Sequence, residues 1–167
     1  MAKRHTCLVE LSRDHYFGLL LAVRLRQGDQ ALTRLWSHDP LWQARYVVDF
    51  FEQELRFHFR AEEEILFPLV GGEIPSSRPI IAGLLDDHRN LESKTMALKE
   101  VNQETLREDL AALGTLLESH IRTEERSLFP LIESQASASL LDSIDREMRE
   151  RYGSRPHTPF RGEEPAT

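Results

Sequence analysis

Cysteine is nearly absent from this 167-residue chain, and long apolar runs are absent from its N-terminal part. The one cysteine, Cys7, cannot form an internal disulfide, which excludes the disulfide-stapled scaffold of small secreted domains. The longest early apolar run, Leu19 to Val23, is closed by Arg24 and Arg26. It is too short for a transmembrane helix and poorly formed for a signal peptide, so we expect a cytoplasmic protein without a membrane partner.

Excess positive charge is also lacking, because the net charge is −7 with histidine neutral. This argues against nucleic acid as a partner. The hydrophobic fraction of 40% and the charged fraction of 29% are ordinary for a globular protein. The length is most simply one domain with a substantial core.

A motif of twelve residues occurs twice, at 58–69 and again 62 residues later at 120–131. Eight of the twelve positions are identical, including the first histidine, the glutamate four residues on and the closing Phe-Pro-Leu. Residues i and i+4 lie on one face of a helix. Each copy therefore presents an imidazole and a carboxylate one turn apart.

Apolar positions spaced by threes and fours predict helices, and there is little strand signal. The predicted helices run from Leu8 to Gly28, Pro40 to Gly71, near Ile80 to near Asn102, Leu106 to Leu131, and Leu140 to Tyr152, with a short helical connector from Gln30 to Trp36. Asp39 and Thr105 are the expected N-caps of the second and fourth helices. Short connections favour antiparallel neighbours. We predict an all-α, up-down-up-down four-helix bundle at 1–152 with a short extra C-terminal helix, followed by a flexible tail at 153–167 that contains three prolines.

The predicted helices place polar side chains in the middle of their apolar faces. A lone histidine at such a position is more often a hydrogen-bonded core residue than a ligand. Here four histidines and two glutamates fall at equivalent places, and few arginines or lysines share those faces to compensate the carboxylates. A cation bound among them would do so, which makes this set the candidate metal ligands: His15, His58, Glu62, His88, His120 and Glu124.

The ligand types narrow the choice of metal. Imidazole with carboxylate suits iron, zinc, manganese or nickel, and the lack of thiolate excludes a finger-type zinc site. Four histidines and two glutamates are too many for one tetrahedral ion, but they fit two ions that share both carboxylates. We therefore expect an octahedral iron pair, with zinc or manganese as possible substitutes.

The order His, His-x-x-x-Glu, His, His-x-x-x-Glu on four helices resembles the hemerythrin-like family of HHE cation-binding domains. The matching phrases are Asp14-His15, 58–68, Asp87-His88 and 120–130, and the resemblance covers roughly residues 8–134. It implies a four-helix bundle holding a non-haem di-iron centre with an oxo or hydroxo bridge. His15, His58, His88 and His120 would be terminal ligands, and Glu62 and Glu124 would bridge.

Two departures separate this chain from the oxygen-carrying hemerythrins. Glu92 stands where they have a second histidine on the third helix, and Glu124 stands where they carry an aspartate. Two octahedral ions offer about twelve positions, of which about two would stay open. Glu92, four residues after His88, either fills one of them or is a solvated carboxylate. Reaction with oxygen, peroxide or nitric oxide is thus expected more than clean oxygen carriage.

The neighbours of the ligands receive weaker assignments. Glu63, Glu64 and Glu125 lie off the ligand face and are expected to be solvated, with Glu63 a possible support of the ligands. Phenylalanines are expected to shield the cluster from water; these are Phe17, Phe51, Phe67 and Phe129.

The function expected from the sequence is a di-iron protein that binds or senses oxygen or a related small ligand, and that is a binder rather than an enzyme. One alternative is a di-iron redox enzyme. Ferritin-like oxidases are disfavoured because they use Glu-x-x-His, with the carboxylate first. Another alternative is an iron-handling or regulatory protein whose tail at 153–167 binds an unidentified partner.

Overall fold

A computed structural model of the chain describes residues 4–28, 36–100 and 102–153. The described part is helical and contains no strand, which confirms the all-α class. Helix α1 is Thr6–Gln27, α2 spans 40–73, α3 is Arg78–Ala97, α4 spans 106–135 and α5 is Ala138–Tyr152. Residues 30–35 of the predicted connector and the predicted tail beyond residue 153 lie outside the described residues.

The helix boundaries follow from local chemistry. Asp39 accepts a hydrogen bond from the Leu41 backbone N–H at 3.0 Å with Pro40 at the first helical position, so α2 begins as predicted. Thr105 is the N-cap residue of α4, as predicted, but its side chain accepts no hydrogen bond from a backbone N–H, because the hydroxyl donates to Asp109 at 2.8 Å. Helix α3 ends at Ala97, earlier than predicted, because the next residues form tighter turns.

The core forms two apolar clusters with the histidines between them. One contains Leu21, Leu25, Phe50, Phe51, Leu91, Leu98, Leu106, Leu110 and Leu117, among others. The other contains Leu8, Leu11, Phe67, Val70, Ile81, Leu84, Phe129 and Ile132, together with Leu140 and Ile144 of α5. Helices α1 and α3 run from the second cluster to the first, and α2 and α4 run back. The four helices therefore alternate in direction, and their midpoints meet.

Helices α1 and α4 approach closely through two glycines. A Cβ on Gly114 would lie 2.8 Å from the Ala22 carbonyl oxygen and 2.9 Å from the Leu25 Cβ. A Cβ on Gly18 would lie 2.7 Å from Ile121. The small residues allow the two backbones to pack tightly, which brings the ligand-bearing turns together. Among the described residues, no helix has the length and apolar character that crossing a membrane requires.

Candidate metal centre

The six predicted ligands are buried together in the middle of the bundle. Glu62 and Glu124 are fully buried, and each of the four histidines is at most 4% exposed. The ligand atoms fall into two groups, and within each group they lie within 4.8 Å of one another. One group is His15, His58, Glu62 and Glu124, and the other is His88, His120, Glu62 and Glu124. Each group has two histidines, and both glutamates belong to both groups.

The inward atoms of the two groups face one another. The Nε2 atoms of His58 and His88 lie 3.1 and 3.3 Å from the two carboxylate oxygens of Glu62. The Nε2 atoms of His15 and His120 lie 2.9 and 3.5 Å from Glu124 Oε2.

These contacts leave many of the inward atoms without a hydrogen-bond partner. Both oxygens of Glu62 and of Glu124, and Nε2 of His88 and of His120, are buried and make no bond of acceptable geometry. A buried polar atom without a partner costs about 1–3 kcal/mol, and more if it is charged. Lone pairs that converge in this way fit a bound cation, so the residues present match the expected donor set.

Charge among the buried groups also favours a cation. Burial opposes the charged form of His58, but Glu62 and Asp14 outweigh it, so the pKa of His58 is raised well above its ordinary value of 6.5. Burial likewise opposes the charge on Glu62, but His58 and His88 outweigh it and hold the pKa of Glu62 well below 4.5. The carboxylate therefore stays ionised beside a positive charge. A metal ion can supply that charge in place of protons, which binding would then release.

Each histidine also faces a carboxylate on its outer side. The Nδ1 distances are His15 to Glu125 2.7 Å, His58 to Asp14 3.1 Å, His88 to Glu63 2.7 Å and His120 to Asp87 3.6 Å. The first three are hydrogen bonds, and the fourth is too long to be one. Such carboxylates fix the ring orientation and tautomer of metal-binding histidines.

The outer carboxylates follow a closed pattern around the bundle. Each outer carboxylate lies on the helix that precedes the helix of its histidine, and the pattern closes from α4 to α1. Three of the four carboxylates make a hydrogen bond, whereas Asp87 of α3 lies near His120 of α4 without one. Each supporting residue is adjacent in sequence to a ligand of its own helix. The prediction that Glu125 is merely solvated is wrong, because Glu125 bonds both His15 and Ser12. The four outer carboxylates could have been found from the sequence, because each forms a doublet with a predicted ligand. These doublets are Asp14-His15, Glu62-Glu63, Asp87-His88 and Glu124-Glu125.

The chain was compared with models of protein families. A model of the hemerythrin HHE cation-binding domain matches residues 17–132, which is more than half of the chain. The chain belongs to this family. The match contains five of the six predicted ligands, with His15 just before its start, and α5 lies beyond its end. Comparisons with curated proteins and with solved structures gave no match.

The two glutamates that this HHE domain places in both groups each begin a π-helical turn. These turns are Glu62–Leu66 and Glu124–Leu128, and they close with hydrogen bonds from the N–H of Phe67 and of Phe129 to the glutamate carbonyls. A proline follows each phenylalanine, and its ring clashes with the carbonyl four residues earlier, which widens the helix. The sequence predicts only an ordinary helix here. Single π-turns often occur at functional sites.

Aromatic rings enclose the histidines of the HHE domain. Phe129 stacks on His15 with centroids 5.5 Å apart, and Phe67 stacks on His88 at 5.7 Å. The nearest ring is Phe59, which stacks on His88 at 3.8 Å and was not singled out from the sequence. Phe51 contacts Phe59, and Phe17 packs against the first core cluster.

The structure does not bring Glu92 to the other six residues. Its side chain is 54% exposed, and its carboxylate lies 3.4 Å from Arg56 on α2. The reason is the path of the buried stripe on α3, which continues from His88 to Leu91 and Thr95. A residue four positions after His88 is a neighbour of it, but lies on the flank of this stripe. Neither of the two ligand groups contains Glu92.

Proposed function

We propose that this HHE domain binds two iron ions and uses them to bind or sense oxygen or a related small ligand, such as nitric oxide or peroxide. The observation that carries the proposal is the pair of buried ligand groups that share Glu62 and Glu124. Two imidazoles and two carboxylates per ion suit iron, with zinc or manganese as possible substitutes. An iron pair would supply one-electron redox changes and open coordination positions.

The donor count supports a small exogenous ligand. An octahedral ion takes about six donors, of which each group supplies two imidazoles and a share in two carboxylates. One bridging oxygen would leave about one open position per ion. Because Glu92 lies outside both groups, it fills neither position in this arrangement.

A small void beside the site supports the same proposal. Its volume is about 10 Å³, close to the least that holds one water-sized molecule. It reaches His15, His58 and His120, and its other walls are mainly apolar, with Leu55, Phe59, Leu117 and Ile121. Apolar walls favour a small neutral molecule over a hydrated ion.

The site assignment is tested by the iron content of variants loaded with ferrous iron without air. His58→Ala and Glu62→Ala should sharply lower the iron content, because each removes a buried ligand. His38→Ala is the matched control, since His38 belongs to neither group. Full iron content in both ligand variants would refute the assignment.

The proposal that oxygen or nitric oxide binds in the void is tested by filling the void with a larger side chain. Leu55→Phe should leave the iron content unchanged and weaken or slow the binding of oxygen or nitric oxide, followed by the optical spectrum. Unchanged ligand binding in a Leu55→Phe protein that holds all its iron would exclude the void as the ligand position.

A redox enzyme is the second candidate, and the two open positions favour it. Turnover of peroxide or nitric oxide by the iron-loaded protein, lost in His120→Ala, would support it. Oxygen binding that reverses when oxygen is removed, without turnover, would support a carrier or sensor.

A further inference from the structure

The residues just before α1 are bound to α4 close to the metal centre. The Arg4 guanidinium donates to one oxygen of the Glu133 carboxylate at 3.0 Å, and the backbone N–H of His5 donates to the other oxygen at 2.9 Å. Two contacts from adjacent residues to one carboxylate hold this segment in a fixed position on α4. Arg4 precedes residues 17–132, so its contacts are not part of the match to the HHE family.

Arg4 also reaches the two groups that contact His15. Its Nη2 donates to Glu125 Oε2 at 2.5 Å, and the other oxygen of Glu125 accepts a hydrogen bond from His15 Nδ1 at 2.7 Å. The same guanidinium lies over the ring of Phe129, 5.2 Å from its centroid, and that ring stacks on His15 at 5.5 Å. Glu125, Phe129 and Glu133 stand four residues apart on one face of α4, which is why one side chain can span them. Both paths from Arg4 end at the same predicted ligand.

The contacts of Glu125 show what Arg4 contributes. Ser12 and His15 both bond Oε1 of Glu125, each at 2.7 Å, whereas Arg4 bonds Oε2. Contacts on one oxygen alone leave the carboxylate free to rotate about its last bond, but contacts on both oxygens fix its plane. The side chains of Arg4 and Glu125 are 25% and 26% exposed, so their attraction is weakened less by water than that of a fully exposed pair. The guanidinium therefore sets the orientation in which Glu125 meets His15.

We propose that Arg4 is a positioning residue of the metal centre. It fixes Glu125 and Phe129 against His15, so that the Nε2 atom of His15 stays directed at the ion. A carboxylate that holds the outer nitrogen of a metal-binding histidine fixes its orientation and tautomer, and it does so only as well as it is itself held. The inference rests on the proposed metal site and adds a residue that acts on it through Glu125.

The test is a competitive titration of ferrous iron against a chelator without air, on the full-length protein. Arg4→Met keeps the aliphatic part of the side chain but removes the guanidinium, and it should weaken iron binding about fivefold, or about 1 kcal/mol, as expected for a partly exposed ion pair. Arg4→Lys keeps the positive charge and should recover part of this loss. Arg13→Met is the matched control, because Arg13 pairs with Glu10 at the surface of α1, and it should bind iron as the unmodified protein does.

Two further measurements show whether Arg4 acts through Glu125. In a Glu125→Ala background, Arg4→Met should change iron binding by less than about twofold, because the contact that it removes is already lost. In the zinc-loaded protein, which suits NMR, the Nδ1 proton of His15 should exchange with water faster in Arg4→Met, whereas that of His88, held by Glu63, should not change.

Unchanged iron binding in Arg4→Met, or the same fivefold loss with and without Glu125, would overturn the proposal. Either result in a protein that still binds its metal leaves the metal site standing. An unmodified protein that binds no metal would refute the metal site itself, and the role of Arg4 with it.

Discussion

Glu63 and Glu64 are adjacent on α2 and offer a matched test of the outer carboxylates. Glu63 accepts a hydrogen bond from His88 Nδ1 at 2.7 Å, whereas Glu64 accepts one from the Tyr152 hydroxyl at 3.0 Å. Changing either to alanine removes the same side chain from the same helix. Only Glu63→Ala should weaken metal binding, because only Glu63 orients a ligand.

The size of the effect follows from the surroundings of His88. Loss of such a carboxylate typically weakens metal binding about 10- to 100-fold, or about 1.4–2.8 kcal/mol. The side chain of Glu63 is 42% exposed, so water can replace part of its hydrogen bond. Phe59, stacked at 3.8 Å, continues to hold the ring. We therefore expect an effect near the lower end, about tenfold.

The assay is a competitive titration of ferrous iron against a chelator under anaerobic conditions. Glu64→Ala should match the unmodified protein within about twofold, since the contact that it loses is a surface one. Circular dichroism of both variants checks that the bundle is intact. Equal affinity of Glu63→Ala and Glu64→Ala would refute the positioning role of the outer carboxylates.

Three further predictions concern packing, thiol reactivity and pH. Gly114→Ala should lower the free energy of unfolding by about 1–2 kcal/mol because of its close contact with α1, whereas Gly83→Ala, with open space around it, should be neutral or stabilising; denaturant titration measures both. Cys7 should react with iodoacetamide at pH 8 only after unfolding, because its pKa is about 12; rapid labelling of the folded protein would contradict this. The metal-free protein should lose stability as pH rises above 6.5 through the raised pKa of His58, and also as pH falls below 4.5 through the lowered pKa of Glu62. Bound metal should remove the loss of stability on the alkaline side. Thermal unfolding measured across this pH range, with and without metal, tests both statements.

The sequence was sufficient to predict that the six candidate ligands lie together in two groups and that the chain is all-α. A histidine and a glutamate one turn apart on the apolar stripe of a helix both face the core, with few other arrangements available to them. The duplicated motif shows which two helices carry equivalent residues. The all-α class follows from the spacing of the apolar residues, because residues spaced by three and four positions lie on one side of a helix.

The sequence did not predict features that depend on how neighbouring helices face each other. Asp14 lies on α1 and Glu125 on α4, but each forms a hydrogen bond with a histidine of another helix, His58 and His15 respectively. Glu92 lies four residues after His88 but points away from the ligand groups, because it lies on the side of α3 that faces Arg56. A cavity lined by α1, α2 and α5 is likewise not evident from the sequence, because it forms where α5 packs against the other two helices.

The most direct test of the metal centre is the stoichiometry of iron bound without air, followed by the optical spectrum after oxygen is admitted. Two ions per chain are expected, because there are two ligand groups, each with its own pair of histidines and with both glutamates in common. Glu62→Ala should lose both ions together, and oxygen should produce a new charge-transfer band in the unmodified protein. One ion per chain, or none, would contradict the shared two-ion site.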